Sequence, residues 1–393
     1  YSYTGETNVT KFYALKPYVG GVVGCAHNDN KEGEMHYITN YGDVTISGKL
    51  GSGVCISGTF GFIGTLNGSH FYNHGDITLK DLAVRYIYLA GGVGYCGGTT
   101  VLDNVHNYGA VTVEESTTCG SIICGGLIAY QASGTAYPGA GHGSISNSSN
   151  SGPITVSSKG FAPELHDGTS ALYYRVGGLA GWTQHYIDNC NNLEGGVVTC
   201  TGTLHNWDDS NYSICVGGLV GYKTVNSIDN SRNDANIICN LNMTKGEDRT
   251  WTDSKSTAHT FNASKVRLNV GGISGYTNLP CRNVTNNGDV VFSGDLAGQL
   301  RIGGVLGQGA SVSTAFPSYD KLVNNGKVTV KEGSKMGDQL MIAGVAAYIN
   351  KNNECTNNGA VTIENNVSWG GLKTYIAGTL GYTAGNADKV TNN

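Results

Sequence analysis

Apolar and polar residues alternate in short runs along this chain rather than in helical stripes. The clearest run is Val44-Thr45-Ile46, led in by Asn40-Tyr41-Gly42-Asp43. Alternation over three residues turns both aliphatic side chains to one face of a strand and the threonine to the other. Close copies follow: NHGDITL from Asn73, NYGAVTV from Asn107, NSGPITV from Asn150, NNGDVVF from Asn286, NNGKVTV from Asn324 and NNGAVTI from Asn357, with weaker forms opening at Asn192 and Asn233. Their starts lie 33, 34, 43, 42, 41, 53, 38 and 33 residues apart, the drift of a fixed unit that carries loops of variable length, and such periods mean stacked units. The pattern places Val44 with Ile46, Val111 with Val113 and Val361 with Ile363 inward, and Thr45, Thr78, Thr112, Thr155, Thr329 and Thr362 in an outward column.

A second apolar box keeps step with the first. It reads VGGVVG from Val19, CGGLIAY from Cys124, VGGLAGW from Val176, VGGLVGY from Val216, VGGISGY from Val270 and IGGVLG from Ile302, with degenerate forms at Thr59, Ala90, Ile342 and Ile376. Glycine weakens a strand unless the backbone turns sharply or packs closely, so the pairs are expected where one layer bends against the next. A further asparagine stands three residues ahead of the box asparagine at Asn104, Asn147, Asn189, Asn230 and Asn283. Asparagine tolerates left-handed backbone, and stacked once per layer it forms ladders of side-chain amides. Asn40, Asn73, Asn107, Asn150, Asn286, Asn324 and Asn357 are read as such a structural ladder. The predicted fold is all-β: one domain over residues 1–393, an elongated β-solenoid (β-helix) of about ten coils of three short strands with variable loops.

Composition sharpens this picture. Charged residues make up 13%, about half the usual share, and the 60 glycines fall at fixed places inside apolar boxes, which points to packed turns rather than disorder. A net charge of -5 gives no electrostatic reason to expect nucleic acid, and no apolar run approaches the ~18 residues of a membrane span. Eleven cysteines cannot all pair. Cys200 with Cys239, and Cys124 with Cys215, fall on apolar box positions and read as buried thiols, with disulfides as the alternative. No cofactor or metal spacing is present in the sequence. Of eight N-x-S/T sequons, about what composition alone gives, Asn211, Asn242, Asn262 and Asn366 lie in or beside expected loops and are the glycan candidates, whereas Asn147 and Asn283 are expected to be inaccessible.

The boxes at Gly177, Gly217 and Gly271, each inside an Asn/Gly-rich unit, resemble the GLUG-type repeats of bacterial surface proteins. That resemblance implies an extracellular, adhesin-like protein whose repeats form a stalk, and it offers no catalytic residue.

The two ends suggest assembly. Val390-Thr391-Asn392-Asn393 repeats the lead-in to an Asn-Gly box, and Tyr1, Tyr3 and Thr4 could supply the part that should follow, with Tyr3-Thr4 on the Val-Thr positions. Residues 1–18 are therefore expected to complete the last coil of a neighbouring copy, building a head-to-tail homopolymer by strand addition. The functional expectation is a non-enzymatic extracellular filament or stalk. One alternative is an adhesin or module binding glycans or a host surface, with Trp182, Tyr222 and Tyr276 as stacking residues. The other is a β-helix polysaccharide-degrading enzyme, whose candidate acids and bases are His205, Asp208 and Asp209 beside Trp207, and Glu164, His166 and Asp167; all sit in inserted loops rather than on strand faces.

Overall fold

The computed structural model describes residues 17–26, 33–50, 53–64, 66–97, 99–131, 143–158, 173–203, 214–243, 250–252, 258–260, 266–310, 318–371 and 373–393. The expected loop insertions fall largely outside them, as do Tyr1, Tyr3, Thr4, Asn211, Asn262 and both groups of candidate acids and bases. Among the described residues every regular element is a strand, and no helix is long and apolar enough to cross a membrane. The fold is all-β, with parallel strands in stacked sheets, an arrangement that fits a β-helix-like chain path.

Each unit pairs with the units before and after it in the register its boxes dictate. Val111 stands beside Ile77 on one side and Ile154 on the other, and Val113 beside Leu79 and Val156. Their inward side chains are fully buried and form one continuous apolar core with those of the Gly-pair strands, such as Val176, Val216 and Val270. Each such residue contributes about 1.5–3 kcal/mol. The threonine column follows the same register through Thr45, Thr78, Thr112, Thr155 and Thr199, is interrupted by Ile238 and Val291, and resumes at Thr329 and Thr362.

The structure departs from three strands per unit. The Gly-pair box is two strands in different sheets, for example Ile214–Gly217 and Val220–Lys223, because the chain bends at Gly218-Leu219. Each unit thus sends the Asn-Gly-box strand and the first half of the Gly-pair box to one 18-stranded sheet, the second half to a 10-stranded sheet, and the asparagine-bearing strand to a 13-stranded sheet. The last two sheets enclose a second apolar core that includes Phe60, Phe71, Val105, Ile187 and Leu322.

Register also moves two of the degenerate boxes. Ile56 and Leu89, not Thr59 and Ala90, hold the position of Val176. The first glycine of the pair is then Ser57 in one unit and Ala90 in the next, while the second remains Gly58 and Gly91. Packing crowds both positions: a Cβ on Gly177 would lie 2.1 Å from the Ala180 carbonyl oxygen, and one on Gly178 would lie 2.0 Å from the Gly218 carbonyl oxygen and 2.5 Å from Cγ of Asn192.

Candidate functional site

The asparagine ladder runs through every unit. Nδ2 of Asn40 donates to Oδ1 of Asn73 at 2.8 Å, and the same bond joins Asn73 to Asn107, Asn107 to Asn150, Asn150 to Asn192, Asn192 to Asn233, Asn233 to Asn286, Asn286 to Asn324, Asn324 to Asn357 and Asn357 to Asn392, all between 2.7 and 3.0 Å. The other Nδ2 proton goes to a nearby carbonyl of the same turn, as from Asn107 to Gly109 at 2.8 Å. Asn192 and Asn233, from the two weakest boxes, are full members. Within the body these amides are buried and both donors are used, as a buried amide requires. The ladder has a direction, because every donor points toward the C-terminal end.

A second set of asparagines flanks it, exposed except for the half-buried Asn104. Asn104, Asn147, Asn189, Asn230 and Asn283 have φ between 48° and 56°, the left-handed conformation that asparagine tolerates best. Asn147 and Asn283 are exposed rather than hidden, because their backbone turns the side chains outward. Tyr37, His70, Lys321 and Lys389 occupy the same position in other units with φ of 48–61°.

Of the glycan candidates, Asn366 is exposed in a turn with φ 59° and donates to Oε1 of Glu332 at 3.1 Å. Asn242 does not stand in a loop: it ends the strand Ile237–Asn242, pairs with Thr203, and its Oδ1 accepts the Asp295 N–H at 2.9 Å.

The aromatic residues read as sugar-stacking positions are packed against one another. Trp182, Tyr222 and Tyr276 lie in one register column; Tyr222 and Tyr276 stack at 4.9 Å between centroids and are 9% and 3% exposed. Arg175 is itself buried, with its guanidinium carbon 3.8, 4.0 and 3.6 Å from the ring centroids of Tyr173, Trp182 and Tyr222. The bend at the Gly pair explains this, since it folds the outer faces of two strands together and lets a cation sit among the rings. Tyr222 and Tyr276 are covered in this way, whereas Trp182 is half-buried.

All eleven cysteines carry free thiols, ten of them buried and Cys25 exposed. Cys200 and Cys239 are register neighbours, and their mutual hydrogen bond, followed by burial, pushes the Cys239 thiol well above its ordinary pKa. Burial does the same to Cys124. Such thiols are inert. Among the described residues no group of three or more His, Cys, Asp or Glu side chains is placed to hold a metal ion.

Exposed apolar side chains collect at the two ends of the described body. Of the exposed large apolar residues among those described, Tyr18, Val22, Tyr37 and Tyr41 belong to the first described unit and Trp369, Ile376, Tyr382 and Val390 to the last, with Tyr108 and Ile238 between. At the last unit the strands Val361–Ile363, Thr374–Ala377, Leu380–Thr383 and Val390–Asn392 pair on one side only among the described residues. A cleft of about 320 Å³ opens there, lined by Asn357, Val361, Ile376, Gly378, Asn392 and Asn393 among others. Val390, Asn392 and Asn393 thus sit together on an open edge. Asn392 accepts from Asn357, and no described residue accepts from its Nδ2. No family model matches the chain, and no curated protein or solved structure matches it.

Proposed function

We propose that this chain is an extracellular structural protein, the subunit of a head-to-tail filament or surface stalk, folded as one elongated β-solenoid. The ten rungs from Asn40 to Asn392 would count its coils, and at about 4.8 Å per coil the body would be roughly 50 Å long. The observation that carries the proposal is the open edge at Val390–Asn392 and its three companion strands, where apolar side chains and unpaired backbone collect. Such an edge templates the addition of another strand. In this reading residues 1–18 of a neighbouring copy supply the strand beside Val361–Ile363, with Tyr3-Thr4 on the Val-Thr positions. The resemblance of the boxes at Gly177, Gly217 and Gly271 to GLUG-type repeats supports the cell-surface setting.

Negative-stain microscopy and light scattering of the purified chain test this. Filaments are expected at micromolar concentration, and a triple Ile376→Lys, Tyr382→Lys, Val390→Lys variant should remain a folded monomer. A wild-type chain that stays a monodisperse 41.1 kDa monomer at high concentration would refute it. A second reading, an adhesin that contacts glycans or a host surface, is favoured by Tyr37 and Tyr41, which are 75% and 77% exposed. A glycan array comparing wild type with Tyr37→Ala/Tyr41→Ala separates the two.

A further inference from the structure

Resting on the filament reading, we infer that the contact between copies continues three sheets in the internal register, so that Asn392 of one copy stacks on the partner's Asn40 and the filament is polar. The argument comes from columns that run the length of the molecule. Stepwise pairing joins Val19, Ile56, Leu89, Cys124, Val176, Val216, Val270, Ile302, Ile342 and Ile376 into one column. The column through Cys25 and Phe62 ends at Tyr348 and Tyr382. The strand bearing Ile38 and Asn40 leads in the same way to Val390 and Asn392. Setting the last unit on the first of another copy therefore places Ile376 on the partner's Val19, Val390 on the partner's Ile38 and Asn392 on the partner's Asn40. These are matches of the kind every internal step makes. Ile376 and Val390 are 54% and 42% exposed in the isolated chain and would be covered.

The ladder supplies direction. Its last rung presents the Asn392 Nδ2 donor and its first described rung the Asn40 Oδ1 acceptor, which among the described residues takes only the Gly42 N–H at 3.2 Å. Two like ends brought together would set donor against donor and would reverse the strands, breaking the parallel register. Only head-to-tail contact satisfies both, and such contact propagates without closing.

The register is tested with the exposed native thiol of Cys25. In the inferred register Tyr382 lies directly beside the partner's Cys25, within disulfide reach, while Thr383 is one residue along and points its side chain to the opposite face. Mild oxidation of Tyr382→Cys should give a ladder of covalent oligomers on a non-reducing gel, lost when Cys25→Ser is added, and Thr383→Cys should give none. Asn392→Asp, which keeps the acceptor for Asn357 but removes the donor, should raise the critical concentration about tenfold, the effect of ~1.4 kcal/mol. Filaments that form while Tyr382→Cys fails to cross-link, or while Thr383→Cys cross-links instead, would overturn the register and leave the filament reading standing. Absence of any assembly by microscopy would overturn both.

Discussion

The middle of the molecule and its last unit are built from the same boxes yet live in different environments. Val111-Thr112-Val113 and Val361-Thr362-Ile363 are near copies, but the inward side chains of the first are fully buried while those of the second are only partly covered. Asn107 is enclosed between two neighbours; Asn392 has one. The difference lies in what stacks on each layer, and it shows that no unit here carries its own stability. Each depends on its neighbour to complete its core and its amide ladder, as in other repeat architectures.

Substitutions matched between these two regions should expose that dependence. The largest contrast is expected for Ile154→Ala against Ile376→Ala. Ile154 is fully buried and Ile376 is 54% exposed, so urea denaturation should show a loss of about 4 kcal/mol for the first and within about 0.5 kcal/mol for the second. Next comes Gly178→Ala against Gly378→Ala. The added methyl in the interior meets the carbonyl of the next layer, whereas at Gly378 it meets only the Asn392 side chain at 2.6 Å, which can move. Costs of about 3 kcal/mol and below about 1 kcal/mol should follow. Asn192→Ala removes a rung with partners on both sides and should cost about 2 kcal/mol. Asn392→Ala should leave the monomer's denaturation midpoint almost unchanged while impairing assembly.

The smallest effect separates the two regions by pH. No histidine follows His259 in the sequence, while His106 bonds Ser149 at 2.7 Å and Asn104 at 2.5 Å and stacks on Tyr72. Burial, and then the nearby His70, hold its pKa below the ordinary value against the opposing pull of Asp103. The folded state therefore takes up a proton less readily than the unfolded state. Its stabilisation is complete above the unfolded pKa of about 6.5 and is lost as pH falls from there through the lower folded-state value. Once the intrinsic pH dependence of exchange is divided out, the protection of Val101–Asn107 should fall between pH 7 and 5 while that of Cys355–Asn357 stays constant; an equal fall in both would remove His106 as the cause.

Much of this architecture is legible from local pattern, for a physical reason. Period-two alternation in Val-Thr-Val commits two side chains to one face whatever the chain does next, and spacing between boxes commits each strand to a parallel neighbour in fixed register. The recurrent asparagine likewise announced a stacked amide, though Asn192 and Asn233 were visible only as weak copies because their flanking residues differ. Other features could not be read this way. That the Gly-pair box is two strands, that Arg175 is enclosed by Tyr173, Trp182 and Tyr222, and that Asn147 faces solvent all depend on the angle at which the chain turns.

The amino-acid order by itself thus determined the unit, its period, its inward aliphatics and its ladder, because each is set by neighbours a few residues away or by exact recurrence. The tertiary structure alone decided which polar faces are covered and which edges stay open. Those depend on bends at Gly218 and its counterparts, which bring together side chains that no local pattern relates, and on the plain fact that the first and last described layers have a neighbour on one side only.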